Sequence, residues 1–502
     1  MKRTALLLFT ALAPATLAAT CDSLNSLKLP HVTIQATGYA AGEYRPPAAG
    51  KGKAPDYSDI PAFCMAKVVS TPVAGSTINI EYWMPTNNWN GGFVVTGNGG
   101  FGGSISYSGG SSRSFQKNVQ DGYVAAMSDT GHNSANGNVF LANQEALIDF
   151  AYRAEHETAD IGKKLIQALY GSPVRHSYFD GCSGGGRQAL KEAQMYPGDF
   201  DGVIAGSPAL STVGRASQAI WIGQATHKTP ESALPAAKFA VIKEAVMKAC
   251  DTLDGVQDGV LENPRKCNFD PKTIQCPGVD AANCLTAAQV DTVKAIYSDV
   301  KNPRTGEIYF AGHEPGSESG WNTMAGANPF PIGTDFFRYT TFGGDANWDY
   351  KTMNFDADVT KALKTAGVVD AMDTKLKPYF DRGGKIIQYH GWNDPQISPR
   401  SSVMYYEAAT KANGGQKKVQ ENYRLFMVPG MAHCGGGDGT STFDAFSALV
   451  SWVEQKKAPE TLPAAKVVNG QTVRTRPLCA YPATAQYKGT GSTDDAANFT
   501  CK

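Results

Sequence analysis

The chain has no net charge: Lys+Arg and Asp+Glu both number 46 in 502 residues. With neither sign in excess, nothing points to a nucleic acid or an anionic membrane as partner. Beyond the first residues no apolar stretch is long enough to span a bilayer, so no membrane anchor is expected. There is no internal repeat. What remains is an ordinary globular composition, 42% hydrophobic, with ample length for a large core. The 53 glycines imply many tight loops.

The N-terminus has the layout of a secretory signal. Lys2 and Arg3 are the charged part, Ala5 to Leu12 the apolar part, and small residues around Ala18 and Ala19 suit cleavage. Residues 1–19 therefore read as a signal peptide, and the mature chain as secreted or periplasmic. In such a compartment the ten cysteines should be mostly paired. Proximity in sequence suggests Cys21–Cys64, Cys250–Cys267, Cys276–Cys284 and Cys479–Cys501, which leaves Cys182 and Cys434. Spacing alone does not fix the pairing.

The organising stretch runs from His176 to Arg187. A short strand containing Tyr178 and Phe179 enters Gly181-Cys182-Ser183-Gly184-Gly185, and a helix follows from Gln188 to Tyr196. Strand, Gly-x-Ser-x-Gly turn and helix form the nucleophile elbow of α/β-hydrolases. Glycines flank the serine because the turn has no room for side chains. The competing reading is a glycine-rich loop with an incidental serine.

Around this stretch strands and helices alternate. Strands are expected at Thr77–Met84, Gly92–Thr96, Tyr123–Met127 and Phe200–Ala205, with a long helix over 144–169. This rhythm argues for a mainly parallel sheet. Residues 20–75, rich in Gly, Pro and Ala, read as surface wrapping. Residues 211–375 break the rhythm with four cysteines and clustered aromatics, and read as an inserted lid domain. Strands resume at Lys385–His390 and Tyr423–Val428, with helices near 400–412 and 443–456. The fold class is thus α/β, with a hydrolase core at 20–210 and 376–502 interrupted by the lid.

A serine hydroxyl needs a base, and that base needs a carboxylate to orient it. Ser183, Asp394 and His433 occur in the order Ser, Asp, His that this fold uses, and the last two each follow a predicted core strand. Asp394 could instead shape a turn before Pro395, and His433 could be an ordinary loop histidine. The cysteines weigh against both alternatives. Cys182 precedes the serine and Cys434 follows the histidine, so a working triad would bring the two leftover cysteines within bonding distance. Cys182 as nucleophile is disfavoured by its place off the centre of the elbow. The loop Gly97-Asn98-Gly99-Gly100-Phe101-Gly102-Gly103 can offer backbone N–H groups to an oxyanion, or can be simply flexible.

A second candidate site is Asp251-Thr252-Leu253-Asp254-Gly255-Val256-Gln257-Asp258-Gly259-Val260. It lacks the EF-hand spacing. Asp251, Asp254 and Asp258 by side chain, with Val256 and Val260 by carbonyl, can surround a hard cation such as calcium. The alternative is a solvated acidic turn. A calcium ion there would be structural, since the loop carries no nucleophile.

On these residues the chain resembles the tannase and feruloyl esterase family of serine esterases, over nearly the whole mature length. The Cys182-Ser183 and His433-Cys434 combination is the most specific match. The resemblance implies a lid above the active site and an oxyanion hole from the N–H of Gly184 and of a residue in the Gly99–Gly100 turn, with Gly100 the choice. It also implies an aromatic acyl pocket. Candidates are Phe342 and Trp348 in the lid and His390 and Ile397 near the acid. Arg338 could hold a substrate carboxylate or an ion pair within the lid. The family includes mono(2-hydroxyethyl) terephthalate hydrolase, whose five-disulfide pattern is similar to the pairing above. The implied activity is hydrolysis of aromatic acid esters, feruloyl, galloyl or terephthaloyl, on a small molecule. A non-catalytic binding protein on the same fold is the contrasting expectation. The motifs leave the oligomeric state open.

Overall fold

Every strand read from the sequence is present, and two more precede them. The computed structural model describes residues 20–46, 56–107 and 113–502. The expected signal peptide lies outside the described residues. The central sheet is built from Val32–Tyr39 (β1), Phe63–Ser70 (β2), Ile78–Pro85 (β3), Gly92–Thr96 (β4), Val124–Ser128 (β5), His176–Cys182 (β6), Gly202–Gly206 (β7), Lys385–Gly391 (β8) and Tyr423–Val428 (β9). Its nine strands run in the order β1-β2-β3-β5-β4-β6-β7-β8-β9. Pairings from β1 to β5 are antiparallel, and all those from β5 onward are parallel. This is an α/β-hydrolase core.

The parallel strands are apolar without a break because both faces of the sheet are covered. Along β9, Leu425 and Met427 enter one core, while Phe426 and Val428 enter the other. Helices Ala154–Tyr170, Gly184–Met195 and Arg400–Ala412 cover the first face, and Ala445–Gln455 covers the second.

Two expectations are corrected. Residues 20–75 do not merely wrap the surface: β1 and β2 pair along their whole lengths, and Cys21–Cys64 ties the turn that precedes β1 to the start of β2. Only Ala36 of β1 is buried, so an edge strand left little apolar signal. The helix expected over 144–169 is interrupted. Gln144–Ile148 passes through a π-turn at Asp149–Arg153 before Ala154–Tyr170. The turn turns carbonyls outward: Arg187 donates to Phe150 O and Ala151 O, each at 2.9 Å. A π-turn inside a helix commonly marks such a functional demand.

Between β7 and β8 the chain leaves the sheet. Residues 207–384 form helices Thr212–Thr226, Ala236–Cys250, Ala287–Tyr297, Pro331–Thr340 and Ala357–Ala366, with short connecting pieces. The two ends of this insertion are clasped. Ala371 N donates to Leu210 O at 2.8 Å. Half-buried Asp370 accepts from Thr212 N at 2.7 Å and from Ser211 Oγ at 2.9 Å, which places a carboxylate on the first turn of Thr212–Thr226. The insertion shares a core with the hydrolase part: Phe140, Leu147 and Phe150 pack with Val213, Ile220 and Phe336.

All ten cysteines are paired, as Cys21–Cys64, Cys182–Cys434, Cys250–Cys267, Cys276–Cys284 and Cys479–Cys501. Among the described residues no helix is long and apolar enough to cross a membrane.

Candidate active site

Strand register puts three loops at one end of the sheet. Gly181 of β6 pairs with Ala205 of β7, Ala205 with Gln388 of β8, and Gln388 with Leu425 of β9. The loops after β6, β8 and β9 leave from this row at the carboxyl ends of parallel strands, where ligands bind in open α/β sheets. They carry Ser183, Asp394 and His433.

Ser183 has φ 63° and ψ −119°, a conformation that side-chain-bearing residues rarely adopt. The strain is held by contacts on both sides. Ser183 N donates to Gly206 O at 2.9 Å. A Cβ on Gly181 would stand 2.4 Å from the carbonyl of Gly185, and one on Gly184 would stand 2.8 Å from Asn98 O. Only glycine permits this approach of strand, elbow and the 97–103 loop. That loop is fastened to the elbow helix by Gln188, whose Oε1 accepts from Asn98 N at 2.8 Å and whose Nε2 donates to Glu155 at 2.9 Å.

Asp394 is fully buried, and His433 Nδ1 lies 2.7 Å from its Oδ2. Burial would raise the Asp394 carboxyl. The charge of His433 and the hydrogen bonds of His390 and His433 overturn this and hold it well below the usual carboxylate range. Cys182–Cys434, with Cα atoms 6.0 Å apart, joins the residue before Ser183 to the residue after His433. Ser183, His433, Gly100 and Gly184 all line one cavity of about 290 Å³.

The other pocket candidates fall elsewhere. Phe342 and Trp348 stack on each other at 4.9 Å inside the insertion and do not line the cavity. Arg338 donates to Trp348 O at 3.3 Å and also stays out of it. These aromatics serve the core that the insertion shares with the hydrolase part. His390 is buried completely, and its Nε2 lies 3.1 Å from both Asp394 Oδ2 and Ile397 O. Its Nδ1 lies 2.7 Å from Ser402 Oγ. Ile397 is also fully buried and gives its N–H to Asp394. Both residues hold the acid and do not line the cavity. The cavity wall is instead made by Phe101, Phe150 and Ile332, with Arg187, Thr212, Arg215 and Gln396 among its polar members. Sequence reasoning missed these. One signal was available: Thr212 and Arg215, three apart, open the helix that follows a core strand's carboxyl end.

The acidic loop lies beside a small second cavity lined by Asp254, Asp258, Val256 and Val260, and also by Glu262. Asp251 instead accepts from Gly259 N at 3.0 Å. Burial raises the carboxyls of Asp254 and Asp258, and pushes Glu262 up to about 8. An oxygen-lined space with underneutralised acids suits a hard cation. Two observations weigh the other way. Arg476 reaches Asp258 Oδ2 at 2.6 Å. Among the described residues no three acids, imidazoles or thiols converge on a point that a metal ion would occupy.

The family description "Tannase and feruloyl esterase" matches residues 64–502. An uncharacterised esterase of Xanthomonas campestris is 37% identical, over 98% of this chain and 92% of its own length. A probable feruloyl esterase B-1 of Aspergillus terreus is 36% identical, over 96% of this chain and 94% of its own. Among solved structures, feruloyl esterase B from Aspergillus oryzae superposes with a TM-score of 0.89 at 30% identity, covering 96% of this chain and 99% of that one. An elbow serine, a bonded acid–histidine pair and a whole-chain likeness of this extent agree: the chain belongs to the tannase and feruloyl esterase family.

Proposed function

We propose that this protein is an exported serine esterase that hydrolyses esters of aromatic carboxylic acids through an acyl-enzyme on Ser183. The observation that carries this reading is the 2.7 Å contact of His433 Nδ1 with Asp394, while His433 and Ser183 line the same cavity. Ser183 Oγ attacks the ester carbonyl as His433 Nε2 takes its proton. Asp394 fixes the tautomer and stabilises the imidazolium. The oxyanion meets the N–H of Gly184, which as the first residue of a helix has no intrahelical acceptor, and the N–H of Gly100. His433 then protonates the departing alkoxide. Water, deprotonated by His433, attacks the acyl carbonyl, and collapse of the second tetrahedral intermediate frees the acid and Ser183. Phe101, Phe150 and Ile332 suit an aromatic acyl group. The insertion acts as the lid, because Ile332, Thr212 and Arg215 come from it.

Export is favoured by the five disulfides, which persist in oxidising compartments. Calcium, if bound, would be held by the Asp254, Asp258 and Glu262 carboxylates with the Val256 and Val260 carbonyls, and would supply only neutralisation of that loop. The test is kcat/KM on methyl ferulate, methyl gallate and mono(2-hydroxyethyl) terephthalate, with Ser183→Ala as blank. Turnover at least roughly 10³-fold above the blank on one of them is expected. Turnover equal to the blank on all three would remove the esterase reading and leave a binding protein.

A further inference from the structure

Two arginines line the catalytic cavity, and only one is accounted for. Arg187 uses its guanidinium on the carbonyls of Phe150, Ala151 and Val369 and rests on the Phe150 ring at 4.6 Å. Arg215 is 7% exposed, and its guanidinium makes no hydrogen bond and no ion pair with any described residue. The guanidinium lies over the face of Phe330, 4.8 Å from the ring centre. The acid whose charge acts on it is Asp394. That carboxylate is already committed: Oδ1 accepts from Gln396 N and Ile397 N, and Oδ2 from His390 and His433. Burial lowers Arg215 only to about 10, so it stays charged at neutral pH.

A buried charge without a partner is among the costliest arrangements in a protein. Replacing it by an apolar side chain of similar size is often stabilising. An unused guanidinium in a cavity whose apolar wall is Phe101, Phe150, Ile332 and Ala209 is therefore poorly explained by stability. It is well explained by a ligand that brings the missing anion. The flat fork of N–H groups matches a carboxylate in two-point contact.

We infer that Arg215 is the anchor for a free carboxylate on the substrate, so that the preferred esters carry an acid group in addition to the bond that is cleaved. The inference rests on the esterase reading of the same cavity. The carboxylate belongs either to the acyl half or to the alcohol half, and both placements share the same chemistry at Arg215.

The experiment compares two matched pairs: monomethyl against dimethyl terephthalate for the acyl half, and carboxymethyl benzoate against its methyl ester for the alcohol half. The readout is the ratio of kcat/KM within each pair, for wild type, Arg215→Met and Arg215→Lys. Wild type should favour the carboxylate member of one pair by roughly 10- to 100-fold, as for a hydrogen bond between charged groups. The ratio should collapse in Arg215→Met and recover in part in Arg215→Lys. No preference in either pair, or a preference that survives Arg215→Met, overturns the inference. A second readout needs no turnover: calorimetric binding of terephthalate to Ser183→Ala and to Ser183→Ala/Arg215→Met. Binding that requires Arg215 would uphold the anchor even if every ester failed, and that failure would then fall on the esterase reading. Equal binding to both proteins overturns the anchor. Should Arg215→Met fail to fold, as its melting curve would show, Arg215→Gln replaces it in both assays.

Discussion

Asp394 accepts four hydrogen bonds, two on each oxygen. A carboxylate so enclosed cannot rotate, and its orientation passes to His433. Asp394→Asn should leave the fold intact and lower kcat by roughly 10⁴-fold, because the amide favours the wrong tautomer. His390 is the less obvious member. Its Nε2 faces two oxygens, Asp394 Oδ2 and Ile397 O, so that nitrogen carries the hydrogen, and Ser402 donates to Nδ1. His390→Ala leaves a buried carboxylate short of a donor, at a cost of about 1–3 kcal/mol. Most of it should appear as a 5- to 150-fold loss in kcat with KM little changed. An equal rise in KM would show that His390 touches substrate after all. Ser183, Asp394 and His433 were legible as candidates, since elbow, acid and base each follow a recognisable strand. The sequence did not show which neighbours line the cavity. His390 and Ile397 lie close to Asp394 in sequence, but side-chain direction at a strand end depends on what packs above it.

Elements were legible where burial leaves a pattern. The two-faced parallel strands stood out as unbroken apolar runs, whereas β1, with one buried residue, did not. The π-turn was invisible because its cause, Arg187, lies in another element. The bridges between elements differ in what they constrain. Cys182–Cys434 closes 252 residues and Cys276–Cys284 closes 8. On chain entropy alone the first should contribute about 3 kcal/mol more than the second. Cys182→Ala/Cys434→Ala should therefore lower Tm further than Cys276→Ala/Cys284→Ala, and only the first pair should also depress kcat. The acidic loop gives a pH prediction. Burial raises Glu262 from an ordinary 4.5 to about 8, so the folded chain keeps a proton that the unfolded chain releases. This contribution to stability is complete below about pH 4.5 and fades as pH rises through 8. A calcium ion bound in the loop, as proposed above, would take the proton's place. The gain in Tm on adding calcium to chelator-treated protein should therefore be larger at pH 8.5 than at pH 6. A gain of zero at both would remove calcium from the loop.

At the scale of the molecule, the insertion is not a separate unit. Val213, Ile220 and Phe336 share one core with Phe140, Leu147 and Phe150 of the hydrolase part, and Asp370 clasps its two ends. Thermal unfolding followed by near-ultraviolet dichroism and by loss of esterase activity should give a single coincident transition at neutral pH. A lower-temperature loss of activity alone would mean that the insertion unfolds first. The break in rhythm after residue 211 was readable. The shared core was not, because the apolar residues that form it lie on both sides of the break.

The pairing pattern has a consequence for how the protein is made. Four bridges join cysteines that emerge one after the other once Cys182 is set aside, and Cys182 waits for Cys434. A host that oxidises thiols strictly in order of appearance would join Cys182 to Cys250, then Cys267 to Cys276, then Cys284 to Cys434. Ser183 and His433 would be left on opposite sides of wrong bonds, and only a disulfide isomerase would release them. Recombinant yield of active protein should therefore follow the isomerase content of the host's oxidising compartment, and not its oxidising power.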